Sequence, residues 1–177
     1  CSFSLTLLIA EEPSSSSPLG LPSVDDEKDV PGEGLLRRYT NYAKKYPQKR
    51  AEWAKEVEKD QGAVVFLGDS ITQGWGAEFK GLFQGMKLAN RGIGGVTTRG
   101  MLLRISDVTV LDPAAVVLLM GTNDIGVDIA PKAVGRNFEK IVAALKDHNP
   151  DMPIILCRMF PSSEEKDRPR ETIKEVN

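Results

Sequence analysis

The stretch Ala63-Val-Val-Phe-Leu-Gly-Asp-Ser70-Ile-Thr-Gln-Gly74 joins an apolar run to a polar turn and the opening of a helix. Its first five residues are continuously apolar and include β-branched valines, which is typical of a strand covered on both faces. Gly68 ends this run, and a short helical pattern follows from Ile71 to Phe79. The stretch therefore predicts a buried strand leading directly into a helix, the first unit of a parallel α/β sheet.

The same alternation continues through the rest of the chain. Three further apolar runs predict strands at Met86–Asn90, Ala114–Met120 and Pro153–Cys157. Helical patterns lie between them, near Thr98–Asp107 and Pro131–Asp147. The alternation predicts a flavodoxin-like, three-layer α/β/α fold with a parallel sheet between two layers of helices. Because crossovers are right-handed, the carboxyl ends of the strands meet at one edge, where such sheets bind ligands.

Four regions of different composition divide the chain. Residues 61–177 form the α/β domain, and residues 33–60 predict a helical extension interrupted at Pro47. Residues 11–32 are rich in Ser, Pro, Asp and Glu, and they predict a disordered linker. Residues 1–10 are too short to span a bilayer and resemble the end of a signal peptide, with an N-terminal strand or a disordered stub as the alternative. A signal peptide predicts a secreted or periplasmic protein.

Composition narrows the classes of partner and cofactor that the protein can have. Hydrophobic residues make up 41% and charged residues 27% of the chain, a normal globular balance, and the net charge of -2 does not favour nucleic acid as a partner. The two cysteines, Cys1 and Cys157, form no metal-binding motif, and a flexible chain start argues against a disulfide between them. The sequence predicts no metal, no organic cofactor and no stable membrane span, and it leaves the oligomeric state open.

Polar or glycine-rich turns follow the first three predicted strands, at Gly68–Gly74, Asn90–Thr98 and Gly121–Asp124. All three belong to the strand edge at which ligands bind. In the first turn, Ser70 stands between a strand and a helix, where its own backbone N–H favours a developing oxyanion, as helix N-termini do. The alternative is structural, because Ser70-Ile-Thr-Gln73 also matches a helix capping box.

Each of the other two turns also allows a functional and a structural interpretation. Gly92-Ile-Gly94-Gly95 has Thr97 where a dinucleotide-binding fingerprint requires a third glycine, so that interpretation fails. The turn either brings backbone N–H groups close to a ligand or is a tight turn with positive φ. Asn123 offers a side-chain N–H to an oxyanion, with a helix cap or an Asx-turn as the alternative. Asp124 is expected to brace its loop.

Taken in order, the three turns resemble the conserved blocks of the GDSL/SGNH family of serine hydrolases. Gly68-Asp69-Ser70 after an apolar strand is similar to the first block, Arg91–Thr98 to the second and Gly121–Asp124 to the third. The second block is most similar to the branch of platelet-activating-factor acetylhydrolase-like and lysophospholipase-like esterases. The resemblance covers about residues 62–160.

The resemblance implies a serine esterase that works through an acyl-enzyme on Ser70. It implies an oxyanion hole formed by the backbone N–H groups of Ser70 and Gly95 and by the side-chain amide of Asn123, with no cofactor. The implied substrate is an acyl ester of a carbohydrate or lipid, with a slight preference for acetyl over long acyl groups.

The sequence departs from that family at its last block, an Asp-x-x-His, which is absent. The only histidine, His148, is expected at the edge of the sheet opposite Ser70, too far for a hydrogen bond of ~3 Å. We therefore expect the catalytic base and its orienting carboxylate beyond Asn177, and little esterase activity from residues 1–177 alone. Two alternatives remain: a non-catalytic acyl- or carbohydrate-binding protein on the same fold, and a flavodoxin-like signalling or nucleotide-binding domain with Asp69 as phospho-acceptor.

Overall fold

A computed structural model describes residues 28–76, 79–162 and 166–177 of the chain. Its centre is a four-stranded parallel sheet with strands β1 (Val64–Gly68), β2 (Leu88–Gly92), β3 (Ala115–Leu119) and β4 (Ile154–Leu156). The strand order is β2-β1-β3-β4. The chain therefore adds β2 on one side of β1 and the later strands on its other side, so the strand order reverses between β1 and β3. The predicted α/β class and parallel sheet are confirmed.

Helices follow the strands as the alternating pattern predicts, although several are short. They are α1 (Tyr42–Ala54), α2 (Val57–Asp60), α3 (Ser70–Gln73), α4 (Phe79–Leu82), α5 (Thr98–Leu102), α6 (Ser106–Thr109), α7 (Thr122–Ile125), α8 (Pro131–His148) and α9 (Arg170–Val176). The predicted helix from Ile71 to Phe79 is wrong in extent, because Gly74 and Gly76 follow α3 and Gly76 has φ of +60°. Within the described residues, no helix is both long and apolar enough to cross a membrane.

Alternating residues of the strands place side chains on both faces of the sheet. The larger core lies on one face and joins the strands to α1, α5 and α8, through Val65, Leu67, Val116, Leu118, Tyr42, Trp53, Met101, Ile141 and Leu145. The smaller core on the other face joins Phe66 and Leu88 to Phe79 of α4. Helices therefore cover both faces, which explains why the strands read as continuous apolar runs.

The N-terminal part differs from the predicted helical extension over residues 33–60. Helix α1 runs through Pro47 without a break, although an internal proline removes a helix hydrogen bond. Tyr42, Tyr46 and Trp53, on both sides of this proline, are buried in the larger core. Their packing holds the helix together despite the missing bond. The interruption predicted at Pro47 is therefore wrong, and the predictions for residues 1–10 and most of 11–32 lie outside the described residues.

Residues 30–41 form no long helix but follow an irregular path of bends and turns, which we call the N-terminal strap. Its backbone makes most of the hydrogen bonds that dock it: the N–H of Arg38 donates to the Gly95 carbonyl at 2.8 Å, and the Leu36 carbonyl accepts from the N–H of Thr97 at 3.4 Å. The carbonyl of Glu33 accepts from Asn137 Nδ2 at 2.9 Å. The strap therefore lies along the glycine-rich turn that follows β2.

Candidate functional site

The turns after β1, β2 and β3 meet at one edge of the sheet. The three strands end level with one another, since Gly68 pairs with Gly92 on one side and with Leu119 on the other. The turns after β1 and β3 flank the point at which the strand order reverses, where open α/β sheets bind their ligands. The sequence-predicted site residues Ser70, Gly95 and Asn123 follow these three strands and belong to this edge.

Ser70 is the first residue of α3 and its side chain is exposed. It does not cap the helix: the N-cap is Asp69, whose carboxylate accepts a hydrogen bond from the N–H of Ile71 at 2.9 Å. Gln73 does not reach back to Ser70 either, because its Oε1 accepts from the backbone N–H of Gly94 at 2.7 Å. The capping-box interpretation of Ser70 and Gln73 is therefore wrong, and the Ser70 hydroxyl stays available for chemistry.

The glycine-rich turn approaches α3 so closely that side chains would not fit. A Cβ at Gly92 would lie 2.7 Å from the carbonyl carbon of Thr72, closer than real Cβ contacts come. Gly94 lies against Ser70, since a Cβ there would be 3.5 Å from the Ser70 Cβ. Gly95 has φ of +85°, a conformation that favours glycine. These glycines bring the backbone of the turn next to the Ser70 side chain.

Asn123 lies in α7 and is 2% exposed. Its Nδ2 donates to the carbonyl of Val96, the residue after Gly95, at 2.9 Å. The N-cap of α7 is Gly121, so Asn123 is not the helix cap that one alternative predicted. An amide nitrogen carries two N–H groups, and the bond to Val96 occupies one of them. This bond thus fixes the orientation of the amide and leaves one N–H outside it.

Asp124 braces the glycine-rich turn from beneath. Both carboxylate oxygens accept from the backbone N–H of Thr98 at 3.0 Å, and Oδ1 also accepts from the Thr98 hydroxyl. Asn137 of α8 donates to that same hydroxyl at 2.9 Å, which extends the network to the strap. Burial outweighs these bonds and raises the pKa of Asp124 to about 6. The group is therefore structural and completely buried.

Asp69 and His148 are placed poorly for the chemistry considered for them. Asp69 is fully buried, and burial raises the pKa of its carboxyl group; this argues against a phospho-acceptor role, which needs an accessible carboxylate. His148 ends α8, and its Nε2 lies 3.5 Å from Oδ1 of Asp112, three residues before β3. A five-residue strand separates that edge from the site by about 16 Å. His148 is therefore remote from Ser70.

Sequence reasoning missed Arg104, which has no motif around it. Its fully buried guanidinium donates through Nη2 to the carbonyls of Gly68 and Arg91, at 2.9 and 2.8 Å. It also lies over the ring of Trp53, with 5.6 Å between Cζ and the ring centroid. Arg104 thus holds together the ends of β1 and β2, immediately before the serine and glycine-rich turns. In sequence it was one basic residue in a helical pattern, which carries no such signal.

The strap also borders the site, which the sequence did not indicate. The Tyr39 ring covers Gly95, since its Cδ2 lies 3.0 Å from the position that a Cβ of Gly95 would take. Among the described residues, no group of three or more His, Cys, Asp and Glu side chains could hold a metal ion. The polar groups at the edge thus include one hydroxyl, backbone N–H groups and one oriented amide.

Comparisons with known proteins show which family this chain resembles. The model of the GDSL-like Lipase/Acylhydrolase family matches residues 66–177. Platelet-activating factor acetylhydrolase IB subunit alpha2 of Homo sapiens is 30% identical over 127 residues, which cover 70% of this chain and 53% of that protein. The chain thus spans about half the length of the curated relatives it matches.

Solved structures show the same similarity in three dimensions. A GDSL-like lipase from Bacteroides thetaiotaomicron has 30% sequence identity and a TM-score of 0.57, over 76% of this chain and 68% of that one. A protein assigned as an acylhydrolase from Bacteroides fragilis has 29% identity and a TM-score of 0.58, over 65% of this chain and 59% of that one. With a family model that matches well over half of its length, the chain belongs to the GDSL-like lipase/acylhydrolase family.

Proposed function

We propose that this chain carries the nucleophile and oxyanion hole of a serine esterase. One observation carries the proposal: an exposed serine begins α3 against Gly94, and the next turn along the edge holds the oriented amide of Asn123. The Ser70 oxygen attacks the ester carbonyl carbon while its proton passes to a base. The alcohol then leaves with that proton, and water attacks the acyl-enzyme to release the carboxylic acid.

The negative charge that develops on the carbonyl oxygen requires fixed donors. The backbone N–H groups of Ser70 and Gly95 and the second N–H of Asn123 belong to three turns that hydrogen bonds tie together. Donors held in place in this way need no reorganisation when charge develops, which makes them effective in the transition state. We assign the oxyanion hole to these three residues.

The reaction also needs a base, and no histidine of this chain suits that role. His148 is the only histidine in the sequence, and it lies at the opposite edge of the sheet. We propose that in the full-length protein a histidine, with a carboxylate to orient it, comes from outside these 177 residues. Residues 1–177 alone are then expected to hydrolyse esters poorly, because losing a triad histidine typically costs ~10⁴–10⁶ in kcat.

The proposed substrates are acyl esters of a lipid or carbohydrate, with an acetyl group slightly favoured. The relative named an acetylhydrolase supports the acetyl preference, at 30% identity. Export to the periplasm or the cell exterior remains a proposal that rests on the apolar residues 1–10. The second candidate function is a non-catalytic binding protein that uses the same edge to hold an acyl or sugar group.

Covalent labelling of the full-length protein separates the two functions. A fluorophosphonate reacts with an activated serine, so the expected result is a single adduct on Ser70, found by mass spectrometry of the peptides, together with hydrolysis of 4-nitrophenyl acetate. The Ser70→Ala variant is the control and should show neither. A folded full-length protein with no adduct and no hydrolysis would contradict the esterase and leave the binding protein as the function to test.

A further inference from the structure

Two arginines from opposite ends of the chain lie on the same short helix of the site. Arg168 donates through Nε to the carbonyl of Thr122, the first residue of α7, at 3.0 Å. Arg38 of the strap lies at the C-terminal end of α7, because its Cζ is 2.7 Å from the position that a Cβ of Gly126 would take. The N–H of Gly126 donates to that same Thr122 carbonyl at 3.2 Å. The two arginines therefore contact neighbouring points of the same helical turn.

Neither guanidinium has an acidic partner at ion-pair distance among the described residues. Arg38 lies over the ring of Tyr39, with 5.4 Å between Cζ and the ring centroid, and Arg168 bonds to a backbone carbonyl. Partial burial lowers the pKa of Arg168, and the positive charge of Arg38 lowers it further. Asp69 acts on Arg168 from a distance, but its carboxylate is fully buried and caps α3.

These charges border the site rather than a remote surface. Asn123 is the second residue of the same helix, α7. On the strap side, Tyr39 links Arg38 to the site, since its ring covers Gly95. Arg38 and Tyr39 also line a surface groove of about 430 Å³ with Leu35 and Leu36. Both arginines thus contact elements that carry proposed site residues, α7 with Asn123 and the strap that covers Gly95.

We propose that Arg38 and Arg168 form a subsite for an anionic group, a carboxylate or a phosphate, on the ester that Ser70 attacks. The subsite deepens the proposed esterase function and rests on it. Two guanidinium groups close together repel each other unless an anion lies between them, and arginine binds carboxylate and phosphate oxygens with paired, charge-assisted hydrogen bonds. The acyl ester is thus one whose alcohol or acyl part carries a negative charge.

The kinetic test compares the hydrolysis of neutral and anionic esters by the full-length protein. The neutral ester is 4-nitrophenyl acetate, and the anionic esters are 4-acetoxybenzoate and 4-acetoxyphenyl phosphate. The measured quantity is the ratio of kcat/KM for each anionic ester to kcat/KM for the neutral one. We expect Arg38→Gln and Arg168→Gln each to lower this ratio about tenfold through KM, the effect of losing a hydrogen bond to a charged group.

Two further variants show whether the positive charge of the two arginines causes the preference for anionic esters. Arg168→Lys keeps the charge and should restore most of the ratio. Lys59→Gln is the control, because it removes one charge from α2, which leads into the start of β1 at the edge of the sheet opposite the site. It should leave the ratio unchanged. Raising the salt concentration from about 0.1 to 1 M, which shortens the Debye length from about 10 to 3 Å, should lower the ratio in the natural protein but not in the Arg38→Gln, Arg168→Gln double variant.

A binding measurement keeps this inference separate from the esterase proposal. Calorimetry with the Ser70→Ala full-length protein and 4-hydroxybenzoate or phenyl phosphate needs no turnover. We expect binding that weakens about tenfold in the Arg38→Gln background, and the tighter of the two ligands identifies the anion. A ratio unchanged in both arginine variants, or no binding by the folded Ser70→Ala protein, would overturn the subsite even if Ser70 is labelled. Failure to label Ser70 while this binding persists would instead overturn only the esterase.

Discussion

The Oε1 atom of Gln73 accepts a hydrogen bond of 2.7 Å from the backbone N–H of Gly94. Gln73 lies three residues after Ser70, and Gly94 directly precedes Gly95. This bond therefore fixes the helix that carries the proposed nucleophile against the turn that carries a proposed oxyanion donor. A displacement of either part by 1 Å is enough to reduce catalysis strongly.

Gln73→Ala in the full-length protein is expected to lower kcat about tenfold with little change in KM, because the two parts of the site lose their connection. The cost to the free energy of unfolding should be small, about 1 kcal/mol, as for a typical hydrogen bond. Steady-state kinetics with 4-nitrophenyl acetate and urea unfolding measure both quantities. The matched control is Gln84→Ala, an exposed glutamine, and equal kcat in both variants would remove the assigned role.

Asn123→Ala is expected to lower kcat by about 10²–10³, as loss of one oxyanion donor does elsewhere. The substitution should also lower the free energy of unfolding, because the buried amide donates to the Val96 carbonyl as well. Leaving this acceptor unpaired should cost ~1–3 kcal/mol. Unchanged kcat in a folded Asn123→Ala protein would contradict the oxyanion assignment.

Asp124 should make stability depend on pH. Its pKa is about 6 in the folded protein, above the ordinary value of 3.8, so the folded state binds the proton more tightly than the unfolded chain does. The stabilisation is complete below about pH 4 and is lost as the pH rises through about 6, and it is on the order of 3 kcal/mol. The free energy of unfolding of the natural protein minus that of Asp124→Asn, measured from pH 4 to 7, should fall accordingly. A flat difference would mean that the carboxylate is ionised throughout.

Arg104→Met is expected to destabilise the fold by roughly 2–4 kcal/mol, because the buried carbonyls of Gly68 and Arg91 lose their shared donor. Urea unfolding followed by circular dichroism measures this loss. Arg104→Lys keeps the charge but has a single nitrogen to offer, so we expect an intermediate loss. If methionine were as stable as arginine, the guanidinium would not hold the two strand ends together.

The elements that sequence predicted well are those with a strong local pattern. The apolar runs located all four strands to within about two residues, and Pro131 at the first position of α8 located its start. The turn sequences also predicted that Ser70, Gly95 and Asn123 lie at one edge of the sheet, because parallel strands end together there. The prediction of local hydrogen bonds was wrong at one place: Ser70 and Gln73 match a capping box in sequence, but Asp69 caps the helix in the structure.

The remaining features depend on contacts between residues distant in sequence. Gln73 bonds to Gly94 across 21 positions, and Arg104 to Gly68 across 36. The docking of the strap depends on Asn137, 104 positions from Glu33. The packing of Tyr42 and Trp53 decided the path of α1, whereas propensity alone predicted a break at Pro47. None of these pairings leaves a periodicity or spacing in the sequence.

The strap docks mainly through its main chain, and this has an evolutionary consequence. The carbonyls of Val30, Glu33, Gly34, Leu35 and Leu36 and the N–H of Arg38 make the hydrogen bonds to the domain. Most side chains of the segment can therefore be exchanged while its path over Gly95 is kept. The strap also precedes the region that the family model matches. Side chains such as those of Arg38 and Tyr39 can thus change in evolution while the backbone around Ser70 and Gly95 stays the same.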